Sequence, residues 1–99
     1  MKINITGRHV NITNAMQLHI ENKFKKLESH FENIIDTHFI LTVEKERMKA
    51  EALLVIKNDN LFAENESDNM YAAIDDVIDK LDRQLKKQKE KNKDYRRKD

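Results

Sequence analysis

The spacing of apolar residues switches from two to three-or-four and back along the chain, and that order of periods limits the fold more than any other feature. In "KINITGR" (2–8) Ile3 and Ile5 fall on one side of an alternating stretch that runs to the only glycine, Gly7, so a strand is expected. "NIT" (11–13) follows, and Thr13 is a good N-cap for "NAMQLHIENKFKKLESHF". Met16, Ile20, Phe24, Leu27 and Phe31 there recur at helical steps, which predicts one apolar stripe on an amphipathic helix. Alternation returns in "DTHFILTVEKER" (36–47), with Phe39, Leu41 and Val43 on one face, and in "KAEALLVIK" (49–57), with Ala52, Leu54 and Ile56. "NDN" (58–60) is expected to turn, because Asn and Asp tolerate positive φ, and "LFAEN" (61–65) reads as a short strand with Leu61 and Ala63 inward. Ser67 with Asp68 is expected to open a second helix whose stripe is Met70, Ile74, Val77, Ile78, Leu81 and Leu85.

The resulting order is β-α-β-β-β-α. A helical crossover suits a parallel first pair of strands, and the short connections that follow suit an antiparallel meander. Each helix has one apolar side, so both are expected to cover the same face of a four-stranded sheet in a two-layer α+β domain. The opposite face would show Ile40, Leu53, Val55 and Phe62, a candidate partner surface, although scattered apolar groups on an open sheet are common.

Ninety-nine residues suffice for one domain. We expect residues 1–91 to form it and the basic residues 92–99 to be a flexible tail. The longest apolar run, "ALLVI" (52–56), is far short of a membrane span, and "MKINITGR" does not read as a secretory signal. With no cysteine there is no disulfide framework, so a cytoplasmic location is expected.

A formal net charge of +1 conceals a division: residues 1–82 carry ten Lys/Arg against fifteen Asp/Glu, whereas residues 83–99 carry nine against three. Such a concentration of cations points to a polyanionic partner. From the helical spacing, Lys80, Arg83, Lys87 and Lys91 are expected to form one row on the second helix, with Lys86, Lys89 and Lys93 in a second row beside them. Leu85 is the last core position, so the helix beyond it is expected to project with its cations into solvent. On the first helix His19, Lys23, Lys26 and His30 flank the apolar stripe, and side-by-side helices would let basic flanks border one groove. Cation rows at this spacing suit phosphates, though a merely solvated face has the same pattern. Tyr71 and Tyr95 are the only candidates near the rows for stacking on bases, and Tyr71 borders the core stripe. Recognition of RNA shape and backbone is therefore favoured over sequence reading.

Catalysis is not expected. His9, His19, His30 and His38 form no metal-ligand spacing, and no glycine-rich phosphate loop or nucleophile–base pair is visible. Asp68, Asp75, Asp76, Asp79 and Asp82 could hold a metal in principle, but dipole matching and solubility explain most of that cluster. No cofactor and no metal site are expected.

Three segments, "NITG" (4–7) with "IT" (12–13), "KFKKLESHF" (23–31) and "NMYAAIDDVIDKLDRQLKKQKEK" (69–91), give the chain a resemblance to the short ribosome hibernation promoting factors. That bacterial family also contains ribosome-associated inhibitor A. The resemblance covers nearly the whole chain and implies the same β-α-β-β-β-α fold, a two-layer domain similar to double-stranded-RNA-binding domains. It implies binding to small-subunit rRNA in the channel of messenger and transfer RNA, inhibition of translation, and storage of ribosomes as inactive pairs in stationary phase. The residues that match the family's basic pattern are Lys23 and Lys26, then Lys80, Arg83, Lys87, Lys89, Lys91 and Lys93. "NDN" stands where a glycine-rich hairpin is usual, and the chain stops at "DYRRKD" without an acidic extension or second domain. The short type is thus the expected match, a monomer when free, with a separate ribosome modulation factor implied for pairing. Two other readings stay open: a protein-interaction adaptor using the open sheet face, and a general double-stranded RNA binder.

Overall fold

A computed structural model describes the backbone of residues 2–98 and the side chains of residues 3–89. The elements run β1 (Lys2–Arg8), α1 (Asn14–His30), β2 (Ile34–Glu44), β3 (Arg47–Ile56), β4 (Asp59–Ser67) and α2 (Met70–Lys98), the expected order. They build one sheet in the spatial order β1-β2-β3-β4. β1 lies parallel to β2, with Ile3 beside Thr37 and Ile5 beside Phe39. The two hairpins that follow are antiparallel, with Leu54 opposite both Thr37 and Leu61. Tight connections close them, and Lys45 and Asn58 take positive φ there, 54° and 72°. Asn58 thus makes the turn expected of "NDN", whereas Asp59 and Asn60 already pair with Ile56 and Val55 in β4.

Alternation sends one side of each strand inward. Phe39 and Leu41 of β2, Ala50, Ala52, Leu54 and Ile56 of β3, and Leu61 and Ala63 of β4 are buried. Above them lie Ile20, Phe24 and Leu27 of α1, with Phe31 at its end. Met70, Ala73, Ile74, Val77, Ile78, Leu81 and Leu85 of α2 complete the core. Alanines at three β3–β4 positions leave room for the helices, while Phe24 and Phe39 meet edge-to-face with centroids 6.1 Å apart. Burying a large apolar side chain this fully contributes about 1.5–3 kcal/mol. Both helices therefore cover one face, and the other stays open.

The helix starts follow capping chemistry. Thr13 Oγ1 accepts from the Met16 N–H at 3.1 Å, as its position before α1 predicts. At α2 the cap is Asn69, whose Oδ1 accepts from the N–H groups of Tyr71 (2.9 Å) and Ala72 (3.3 Å). Ser67 and Asp68 do not take that role: β4 extends through Ser67, which pairs with Met48, and Ser67 Oγ accepts from the Asn69 N–H instead. Gly7 sits where a Cβ would come within 2.3 Å of the Val10 carbonyl oxygen, so the chain's one glycine permits a close backbone approach after β1.

α1 and α2 run in the same direction across the sheet. Near one end His19 meets Tyr71 and Asp75, and near the other Phe31 meets Lys89. Among the described residues no helix is long and apolar enough to cross a membrane.

Candidate nucleic-acid interface

Amphipathic packing fixes which side chains flank the two helices. Because the apolar stripes of α1 and α2 both point down at the sheet, the residues beside each stripe either face the other helix or turn away from it. His19, Lys23, Lys26 and His30 all face α2. His19 Nε2 lies 2.7 Å from Asp75 Oδ1, and its ring packs edge-on to Tyr71 at 5.0 Å. Beyond this clasp the helices leave a groove of about 520 Å³. Lys23, Lys26 and His30 line one wall, Asp79, Asp82, Lys86 and Lys89 the other, and Leu27, Phe31 and Ile78 complete its lining.

The two cation rows of α2 therefore do not lie side by side. Lys86 and Lys89 border the groove, while Lys80 points to the opposite flank, about 120° from Lys86 around the helix axis. Lys80 Nζ donates to the Glu64 carbonyl at 2.7 Å and reaches Asn65 Oδ1 at 3.4 Å. One turn on, Gln84 Nε2 donates to the Phe62 carbonyl at 2.9 Å, and a further turn on Gln88 Nε2 donates to Asp59 Oδ2 at 2.7 Å. Arg83 and Lys87 are exposed and line no part of the groove. The side chains of Lys91, Lys93 and Tyr95, and of the tail expected from residue 92, lie outside the described residues, while the backbone of α2 runs on to Lys98. Of the residues singled out by sequence, the fold thus brings together Lys23, Lys26 and Lys89. Lys86 and His30, members of the basic rows read from the sequence, join them, and Lys80, Arg83 and Lys87 are set apart.

The cations differ in how free they are. Lys86 Nζ pairs with Asp82 at 3.0 Å. Lys89 Nζ lies 6.0 Å from the centre of the Phe31 ring, a cation–π contact that holds the ammonium at the groove. Lys23 and Lys26 are exposed and make no ion pair among the described residues. Three ammonium groups are thus available to an anion in the groove, and a fourth is already matched. The aspartates singled out as a possible metal cluster are dispersed. Asp75 pairs with His19, Asp76 accepts from Asn65 Nδ2 at 3.0 Å, and Asp82 pairs with Lys86. Among the described residues no group of three His, Cys, Asp or Glu is placed to hold a metal.

The sheet's uncovered face is different in character. Asn4, His38, Leu53 and Phe62 stand in one row across the four strands. Leu53 and Phe62 are 41% and 50% exposed, Ile40 and Val55 are half-buried, and His38 Nε2 lies 2.9 Å from Thr6 Oγ1. Glu51 and Glu64 flank the row and share Lys49. Among the described residues no comparable gathering of free cations occurs there.

Among known proteins, the chain is 46% identical over 91 residues to a ribosome hibernation promoting factor of Pseudomonas putida, covering 92% of this chain and 89% of that protein. It is 43% identical over 95 residues to the ribosome hibernation promoting factor of Escherichia coli strain K12, covering 96% of this chain and all of the relative. Among solved structures it resembles a ribosomal subunit interface protein from Coxiella burnetii, with TM-score 0.85 and 30% identity over 90% of this chain and 98% of the other. The N-terminal domain of Thermus thermophilus Protein Y superposes with TM-score 0.82 at 27% identity, over 88% and 98% of the two chains. The family model described as Sigma 54 modulation protein / S30EA ribosomal protein matches residues 3–93, and with these relatives it shows that the chain belongs to that family, in the branch of the ribosome hibernation promoting factors.

Proposed function

We propose that the chain is a non-enzymatic ribosome hibernation factor. It binds small-subunit rRNA in the channel used by messenger and transfer RNA, blocks translation by occupancy, and favours storage of ribosomes as inactive pairs in stationary phase. Pairing engages a separate ribosome modulation factor on the same ribosome, and the site of action is the cytoplasm. The observation that carries this reading is the lysine-lined groove between α1 and α2, whose lysines Lys23, Lys26 and Lys89 are free of ion pairs among the described residues. The names of the relatives supply the ribosome as partner.

In this reading one stretch of rRNA backbone runs along the groove, held by Lys23, Lys26 and Lys89. A second follows the outer flank of α2, where Arg83 and Lys87 are exposed and Lys91 and Lys93 continue along the helix. Arg83 can meet a phosphate bidentately, whereas the lysines act as point charges. Lys80 has two of its three N–H groups directed at β4, which leaves one for the RNA. Phosphate contacts of this kind fix position without reading sequence.

The test is cosedimentation with purified ribosomes. Replacing Arg83, Lys87 and Lys91 together with glutamate should abolish ribosome binding and leave the fold intact, since Arg83 and Lys87 are exposed. Cosedimentation of that variant at wild-type levels overturns the proposal.

A further inference from the structure

The interhelical groove has a composition that phosphate binding alone does not explain. Asp79 stands in its wall among the lysines, exposed, and makes no ion pair or hydrogen bond among the described residues. A free carboxylate facing a polyanion is repelled by it, and so weakens binding unless it receives a hydrogen bond that phosphates do not supply, from a base or from a ribose 2′-hydroxyl, which poly(U) also carries. The remaining lining, Leu27, Phe31 and Ile78, is apolar. A volume of about 520 Å³ falls within the range of small-ligand sites, roughly 300–1,000 Å³.

From this combination we infer that the groove receives one unstacked base of the bound RNA, and that Asp79 accepts a hydrogen bond from an exocyclic amino group of that base. The inference rests on the reading of the chain as an rRNA binder and adds to it a point of selectivity. Each component has a role. Leu27, Phe31 and Ile78 give the base an apolar surface, and Lys23, Lys26 and Lys89 hold the phosphates on either side of it. Adenine, cytosine and guanine carry amino donors, and a carboxylate is the acceptor suited to them. Proteins that recognise RNA by sequence do so largely at such splayed-out bases. Asp82 is not equivalent, because its carboxylate is already matched by Lys86 at 3.0 Å.

Electrostatics and base reading predict opposite signs for one substitution. Asp79→Ala removes a negative charge from a cation-lined groove, which by charge alone tightens RNA binding. The inference requires the reverse on the ribosome. Wild type, Asp79→Ala and Asp79→Asn are titrated against purified small subunits and against poly(U), which has no exocyclic amino group. Expected is a loss of about tenfold or more for Asp79→Ala on small subunits, the scale of one hydrogen bond to a charged group. Asp79→Asn keeps an acceptor oxygen and should stay within about threefold of wild type, and Asp79→Ala should bind poly(U) at least as tightly as wild type. Asp79→Ala binding small subunits as well as wild type overturns the inference, as does an equal loss on poly(U); in both cases the rRNA-binding reading stands. Wild type failing to bind small subunits at all removes that reading and the inference with it.

Discussion

The lysines of the groove predict a measurable salt dependence. Lys23, Lys26 and Lys89 are the members without a carboxylate partner among the described residues, so each releases about one condensed counterion's worth of free energy when it meets a phosphate. With a slope of roughly 0.7–0.9 per phosphate, replacing all three by alanine should flatten the plot of log K against log salt by about 2.1–2.7. Between about 50 and 200 mM salt, wild type should therefore lose roughly 20- to 40-fold more affinity than the triple variant. Lys86 is the internal control. Asp82 already neutralises it at 3.0 Å, so Lys86→Ala should change the slope by well under about one. Small-subunit binding measured by filter retention or sedimentation over a salt series reads both slopes, and urea unfolding checks that the exposed substitutions leave the fold in place. A triple variant with the wild-type slope refutes the assignment of these lysines to phosphates, whatever its absolute affinity.

The core, the caps and the open face give further expectations. Phe24→Ala deletes a wholly buried ring packed on Phe39 and should cost about 3–5 kcal/mol in urea unfolding; a loss under about 1 kcal/mol would mean that the site collapses around the void. Asn69→Ala should cost about 1 kcal/mol by removing the acceptor for two N–H groups of α2, with Asp68→Ala near neutral; the reverse ranking would return the cap to Asp68. Leu53→Thr with Phe62→Thr should leave ribosome cosedimentation unchanged, because neither side chain is on the helix layer; loss of binding would turn attention to the open sheet face as a partner surface.

Why the fold was legible and the site less so follows from what each depends on. Burial is encoded by period: Ile20, Phe24, Leu27 and Phe31, and equally Leu54 and Ile56, disappear into the core at the positions that helical and alternating spacing assign. The start of α2 was ambiguous because Ser67, Asp68 and Asn69 are three cap-competent residues in succession. The choice among them was made by the length of β4, which carries Ser67 into register with Met48. Likewise, a helical wheel gives the angle between Lys80 and Lys86 but not which flank meets α1. That depends on where the crossover sets α1 relative to the edge strand β4, a property of the tertiary arrangement. At 100° per residue Lys86 already stands about 120° from Lys80, so the two rows could not both border one groove, and the fold puts Lys80 at the sheet edge. Nothing in residue type distinguished Asp79 from Asp82, since their difference is whether a lysine is within reach.

That sheet edge has a consequence of its own. An outermost strand ordinarily offers its unused carbonyls to any extended chain that drifts alongside, which is how sheets grow into aggregates. On β4 the oxygens of Phe62 and Glu64 are instead taken by Gln84 and Lys80, with Gln88 anchored on Asp59 beyond them. A newcomer would have to strip away these side-chain donors before it could zip on. The same helix whose cations we propose to meet RNA thus also serves as a selvedge, finishing this edge of the fabric so that it does not extend there into a neighbouring molecule.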